Sequence, residues 1–228
     1  ALGHIIAQAD VLVLANAHDA SRLLADGPGA VPWPMKCTRG QITQIPAAWC
    51  VGSAGLAPRV PLASGGYLIG LPADLGGGLL CGATQQADDD DPALRAADHR
   101  HNLAQVDALT GEPLKLTPEQ LEALPGRVGW RLSADDRLPV LGPVPAADQA
   151  GARQREQPRH VPRERGLYVL TALGSRGLTL APLLGEVLAA WITGAPVPMG
   201  ASLLDALDAA RFVSRELRQA ASTQAQTL

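Results

Sequence analysis

Arg131 lies inside the run Gly126 to Ser133 (GRVGWRLS), whose apolar and small residues mark a strand. An arginine enclosed there needs a counter-charge, because a buried, unpaired guanidinium costs several kcal/mol. Two partners are open: an internal acid, Asp135 or Asp136, or the carboxylate of a ligand held by the two-pronged guanidinium. A second stretch with chemical potential is residues 166–193. Its apolar run Leu167–Ala172 is β-prone, Gly174-Ser175-Arg176-Gly177 forms a glycine-bounded turn, and Leu178, Pro182, Leu183, Val187, Leu188 and Trp191 recur at helical spacing before Gly194. Strand, tight turn and helix together aim free backbone N–H groups and the positive end of a helix dipole, roughly +0.5 charge, at whatever lies over the turn. A planar anion or electron-rich ring would be favoured there. The plain alternative is an ordinary βα connection. No phosphate loop is present, since neither G-x-G-x-x-G nor G-x-x-x-x-G-K-[ST] occurs in the chain.

Other elements must position these two stretches. Ala9 to Ala15 is nearly all apolar, as for a strand buried on both faces of a parallel sheet. Asn16 and His18 follow it, either touching a ligand at the strand's carboxyl end or capping the helical turn Ala20–Ala25. A Pro/Gly loop from Pro28 to Pro34 marks a domain crossing. Gln41 to Ile45 alternates as a half-buried strand, and Gly66–Gly70 with Gly78–Thr84 reads as a β-hairpin around Pro72–Gly77. Asp88 to Asp91 lacks the spacing of a calcium loop. It is read as N-cap carboxylates with Pro92 at the first position of a helix over 93–109. Thr117-Pro118-Glu119-Gln120 opens a second, shorter helix, and Leu138–Gly142 continues the strand that carries Arg131. Residues 146–165, with Arg153, Arg155, Arg159, Arg163 and Arg165, read as a mobile basic loop; its arginines are either solvated or hold a phosphate backbone. Ser202 to Leu217 has helical spacing, and 218–228 reads as a frayed tail.

Composition narrows the classes. A net charge of −3 over 228 residues gives no global footprint for nucleic acid. The three cysteines, Cys37, Cys50 and Cys81, show no C-x-x-C spacing and suit buried thiols in a reducing, cytoplasmic setting. His99 and His101, two apart in a helical segment, make a poor metal pair, so no metal is expected. No run of 18 apolar residues argues for a membrane span. The opening ALGHIIAQADVLVLANAHD lacks an initiator Met and a basic leader, and reads as the middle of a longer protein.

Taken in order, ANAHDASRLL, RGQITQIP, GGYLIG…LLCGAT, GWRLSADDRLPVLGPVP and ALGSRGLTLAPLLGEVLAAWITGAPVPM resemble the flavin-dependent amine oxidases of the D-amino-acid/glycine oxidase type. Within them the pattern looks most like the C-terminal FAD-dependent oxidoreductase domain of the MnmC family. Its members are the bifunctional enzymes of 5-methylaminomethyl-2-thiouridine synthesis in tRNA. The likeness runs from about Val11 to Phe212, and ALGSRGL with the later P-V-P-M is its most specific part.

The resemblance implies an α/β fold. A partial FAD-binding domain of the glutathione-reductase/D-amino-acid-oxidase type (1–30 and 138–217) would accompany a substrate domain with a mixed sheet (31–137). It also implies FAD as cofactor, the wobble uridine of tRNA as substrate and an S-adenosylmethionine-dependent methyltransferase domain upstream in the same polypeptide. The flavin would take a hydride from the CH₂ of a carboxymethylaminomethyl group, and water would hydrolyse the resulting imine.

Carried over residue by residue, Arg131 would clamp the substrate carboxylate and place that CH₂ over the flavin. Tyr67 and Arg176 would line the substrate cavity. Gly174, Ser175, Arg176, Gly177, Leu178 and Thr179 would line the flavin ring, with Ala15 and Asn16 near the cofactor's far side. Arg39 would fix the domain crossing. Two departures from the family pattern stand out. Ala17 replaces the usual glycine after Ala-Asn, and the dinucleotide fingerprint is not in this chain. The isolated 228 residues are therefore expected to bind FAD poorly. A glycine- or sarcosine-type oxidase of the same fold, or a non-catalytic α/β binding module, are the alternative readings.

Overall fold

The computed structural model describes residues 4–26, 33–50, 58–147 and 156–226. In chain order the strands and helices are β1 (Leu12–Leu14), α1 (Asp19–Ala25), β2 (Met35–Ile45), β3 (Leu62–Ser64), β4 (Gly66–Gly70), β5 (Leu79–Gly82) and β6 (Gln86–Ala87). Then come α2 (Ala96–Thr110), α3 (Pro118–Glu122), β7 (Gly126–Ala134), β8 (Val140–Pro145), β9 (Arg163–Thr171), α4 (Gly177–Thr193), α5 (Ala201–Leu207) and α6 (Arg211–Gln226). The chain divides into two compact units, Ala1–Lys36 with Leu132–Leu228, and Cys37–Arg131.

The first unit is built on a sheet in the order β1-β9-β8, with β1 parallel and β8 antiparallel to β9. Period-two alternation along β9 sorts its side chains between two cores. Leu167 and Val169 pack with Leu14, Leu24 and Phe212, whereas Tyr168 and Leu170 pack with Leu184, Val187 and Leu188 of α4. Helices therefore cover both faces of this sheet, which makes the unit α/β.

Several expectations are corrected here. β1 is an edge strand rather than one buried on both faces, and Leu12 and Val13 are 56% and 38% exposed. β8 does not continue β7; it belongs to the first unit's sheet, where Leu141 pairs with Leu170. The helix expected from Ser202 to Leu217 is two helices. The chain breaks at Asp208, whose carboxylate accepts the N–H of Ala210 and both contacts of Arg163. The segment expected as a frayed tail is helical as far as Gln226. Of the basic stretch, Arg153 and Arg155 lie outside the described residues. Its later part is anchored, not a solvated loop: Arg159 meets Asp205, and Arg163 meets Asp208 at 2.8 Å from within β9.

Asp136 receives Arg211 at 2.9 Å and Arg215 at 2.7 Å. Burial pushes its carboxyl up, but hydrogen bonds from both guanidinium groups and from the Leu138 N–H outweigh that and bring it down to about 2. A depressed carboxyl contributes stability above its unfolded value near 4, and that contribution is lost as pH falls through the folded value. Asp136→Asn should therefore lower unfolding free energy by roughly 2–3 kcal/mol at pH 7, with the gap to wild type closing between about pH 4 and 2. Urea unfolding at pH 7 and pH 3 checks both parts.

The second unit is a sheet in the order β3-β4-β5-β2-β6, with β7 also pairing β2. β4 and β5 form the expected hairpin, with Leu68 opposite Cys81. α2 covers one face, and Ile45, Leu68, Leu79, Cys81, Val106 and Leu124 make the core beneath it. Burial pushes the Cys81 thiol up to about 12, so this cysteine is inert packing. Thr117 and Gln120 form the capping box that starts α3.

α2 begins at Ala96 rather than at Ala93, because the acidic run is spent elsewhere. Asp89 and Asp91 hold the guanidinium of Arg95 at 2.5 and 2.7 Å, and Asp91 also accepts the N–H of Ala93. Arg39 lies beneath this knot, 0% exposed, donating to Asp98 at 2.6 Å, to Gln86 at 2.8 Å and to the carbonyls of Asp91 and Ala93.

Candidate active site

Because β1 and β9 are parallel, their carboxyl ends share one edge of the first unit's sheet. Ala15, Asn16 and Ala17 leave β1 at that edge, and the turn Gly174–Arg176 leaves β9 there. The Thr171 hydroxyl donates to the Ala17 carbonyl at 3.2 Å and ties the two exits together. The structure thus brings together the two groups of residues named for the cofactor. In open α/β sheets this edge is where ligands sit.

The turn is a short 3-10 helix running straight into α4, whose N-cap, Arg176, makes no side-chain cap. No acidic residue occupies the first turn of α4. The N–H groups at Gly177, Leu178 and Thr179 therefore have no side-chain acceptor from a cap and favour negative charge. Gly174 has φ +55, and a Cβ there would lie 2.8 Å from the Ser133 hydroxyl oxygen, so only glycine fits the turn without displacement. Leu178 is 99% exposed, an apolar side chain standing beside bare amides. Open amides next to an uncovered apolar side chain fit a flat, electron-rich ring such as a flavin. Arg176 is less available than expected, since its guanidinium donates to the Arg137 carbonyl. Ala17 occupies the left-handed region at φ 54, a conformation that glycine adopts without strain and alanine does not.

In the second unit, Arg131 is half-buried, and its Nη1 donates to the Thr84 carbonyl at 3.3 Å. Both acids considered as partners are engaged elsewhere: Asp135 with Lys36 at 3.0 Å, and Asp136 with Arg211 and Arg215. Among the described residues no carboxylate pairs with Arg131. Its fork is free for one.

Tyr67 on β4 lies within electrostatic reach of this guanidinium. Burial pushes its phenol up and Arg131 pulls the other way, with a net rise, so the hydroxyl keeps its proton at neutral pH and can donate.

Sequence reasoning missed Gly40 and Thr84. A Cβ on Gly40 would lie 2.7 Å from Arg131 Nη1 and 3.0 Å from Nη2. The RGQ motif drew attention to the arginine, but which side chain crosses the glycine is legible only once β7 is paired with β2. Gly40→Ala should displace the guanidinium, the flexible end of a side chain, and press on the Thr84 carbonyl 3.0 Å from the new Cβ, at a modest cost in folding. Expected are a KM about tenfold higher for a carboxylate substrate and a melting temperature within a few degrees of wild type, measured by steady-state kinetics and thermal unfolding.

The first unit thus offers an amide-lined edge that favours a flat anion, and the second an arginine with no carboxylate partner among the described residues. Residues 1–191 match the family model described as DAO, FAD dependent oxidoreductase, and the chain belongs to that family. Among similar proteins, the tRNA 5-methylaminomethyl-2-thiouridine biosynthesis bifunctional protein MnmC of Methylibium petroleiphilum is 50% identical over 215 residues, 91% of this chain and 32% of that protein. The protein of the same name from Aromatoleum aromaticum is 42% identical over 217 residues, 95% of this chain and 31% of that protein. The chain thus spans about a third of the length of these relatives. Among solved structures, iminodiacetate oxidase from Chelativorans sp. BNC1 aligns with a TM-score of 0.59 at 20% identity, covering 89% of this chain and 46% of that one. Glycine oxidase from Geobacillus kaustophilus aligns at 0.57 and 21%, covering 84% and 44%. Both share the fold. No helix among the described residues is long and apolar enough to cross a membrane, and no group of three or more His, Cys, Asp or Glu there is arranged to hold a metal.

Proposed function

We propose that this chain is the oxidoreductase part of a cytoplasmic tRNA-modifying enzyme. Its substrate is 5-carboxymethylaminomethyl-2-thiouridine at the wobble position, from which it removes the carboxymethyl group. The observation that carries the reading is the Arg131 fork, with which no carboxylate among the described residues pairs. The substrate's tail is an N-substituted glycine, so it brings a carboxylate one carbon from the bond to be oxidised. Relatives up to 50% identical that bear the tRNA-modification name support the choice of substrate.

Arg131 donates two parallel N–H···O bonds to that carboxylate and so fixes the CH₂ next to it, which is orientation and not proton transfer. Tyr67 donates a further hydrogen bond from its retained phenol proton. The backbone from Gly174 to Thr179 would hold the flavin ring, and Ala15 and Asn16 would line the same edge. FAD, when bound, would supply the two-electron oxidant that accepts a hydride from that CH₂. The amine loses its proton and a C=N bond forms. Water adds to that bond, the C–N bond breaks, and the products are the aminomethyl base and glyoxylate. An S-adenosylmethionine-dependent methyltransferase domain upstream in the same polypeptide would then methylate the freed amine.

The test uses the full-length flavoprotein with tRNA carrying the carboxymethylaminomethyl group, and separately with free glycine and sarcosine. The expected result is one glyoxylate and one aminomethyl base per modified tRNA, with little turnover of the free amino acids. Oxidation of glycine or sarcosine with none of the tRNA would replace this reading with a small-molecule amine oxidase.

A further inference from the structure

Arg131 is not the only unpaired cation on its strand. Arg127 stands four residues earlier on β7, and side-chain alternation places both on the same face of that strand, with Gly129 between them. Arg127 is exposed, and among the described residues no acid pairs with it. The opposite parity has other duties. Trp130 donates its indole N–H to the Asp89 carbonyl at 2.8 Å, and Leu132 is buried. The odd-numbered face therefore carries the two guanidinium groups, and Tyr67 of β4 feels both.

Glu122, the acid nearest Arg127 in the chain, lies 3.9 Å from Arg100. Asp89 and Asp91 hold Arg95, and Asp98 holds Arg39. One face of the second unit thus presents two positive charges, Arg127 and Arg131, that no described carboxylate neutralises.

We infer that Arg127 is a phosphate contact, which receives a backbone phosphate of the nucleotide whose carboxylate tail Arg131 holds. At about 3.3 Å per strand residue the two Cα atoms are about 13 Å apart. A single small amino acid has one carboxylate and cannot satisfy both forks. A nucleotide with a carboxylate at one end and phosphodiesters at the other can. Gly129, lacking a side chain, leaves the stretch between the two arginines low and open to the base. This inference rests on the tRNA reading above and names the residue that would make the site select a nucleotide over a free amino acid.

The experiment compares two ligands on the full-length flavoprotein: 5-carboxymethylaminomethyl-2-thiouridine nucleoside and its 3′,5′-bisphosphate. Affinity is read from the concentration dependence of the anaerobic flavin-reduction rate and, independently, by calorimetry on the pre-reduced enzyme, which cannot turn the ligand over. Wild type should bind the bisphosphate about tenfold tighter than the nucleoside at low salt, an advantage that shrinks as salt rises. Arg127→Gln should bring that ratio to about one without changing the nucleoside's affinity, and Arg127→Lys should restore part of it. Binding of the modified anticodon stem-loop should lose about one unit of salt slope in Arg127→Gln. A ratio unchanged in Arg127→Gln overturns the inference, as does an equal loss for nucleoside and bisphosphate. Failure of the tRNA reading looks different: wild type itself would then bind neither nucleoside nor bisphosphate while still binding sarcosine.

Discussion

Arg131→Met is expected to lower kcat/KM for the carboxymethylaminomethyl substrate by about a thousandfold. Two charge-assisted hydrogen bonds to a carboxylate contribute about 1.5–3 kcal/mol each, and losing both also frees the reacting CH₂ to wander. The fold should barely notice. The side chain is half-buried and donates to the Thr84 carbonyl at 3.3 Å, so methionine strands no partner charge. Unfolding free energy within about 1 kcal/mol of wild type, together with the kinetic loss, is the expected pair of results. A loss below tenfold would show that the carboxylate is held elsewhere.

Arg39→Met is expected to do the reverse. Arg39 is fully buried and ties β2 to Gln86, to Asp98 at the start of α2 and to the carbonyls of Asp91 and Ala93. Removing it leaves the Asp98 carboxylate, 4% exposed, without its cation, and two carbonyls without their donor. Breaking such a buried pair costs about 3–5 kcal/mol. Urea unfolding should show a loss of that size. At a temperature where the variant remains folded, substrate affinity should stay within a few fold of wild type. A loss below about 1 kcal/mol would mean that the network relaxes around methionine.

These two arginines show what could and could not be read from the chain. Both sit on strands, but the sequence argued a need for a partner only for Arg131 and read Arg39 as fixing the domain crossing. For Arg131 the sequence offered Asp135 and Asp136, close in the chain, and left a ligand as the other option. The fold sends those acids to Lys36 and to Arg211 and Arg215, the last two 75 and 79 residues away from Asp136. Long-range pairing of this kind leaves no local trace. For the acidic run, helix-capping rules pointed to Asp88–Asp91 as caps, but α2 starts only at Ala96, and before it Asp89 and Asp91 meet Arg95 while Asp91 also accepts the Ala93 N–H. The strand-turn-helix around Gly174 was legible because each part has a local signature: an apolar run, a glycine turn and a helical stripe ended by Gly194 at φ 73. Its proximity to Asn16 was not, since it depends on the parallel pairing of β1 with β9 across more than 150 residues. The parity of Arg127 and Arg131 was present in the sequence all along. It acquires meaning only when the acids that could neutralise them are found engaged elsewhere.

The most direct test is a double comparison of substrate and receptor. Flavin reduction is followed for the carboxymethylaminomethyl substrate and for its carboxamide analogue, in the wild-type full-length protein and in Arg131→Met. The carboxamide keeps size and shape but carries no charge. Wild type should prefer the carboxylate by about a hundredfold or more, and the variant should prefer neither, so that the two changes are not additive. A variant that still favours the carboxylate by the wild-type factor would contradict the assignment of Arg131 as its receptor.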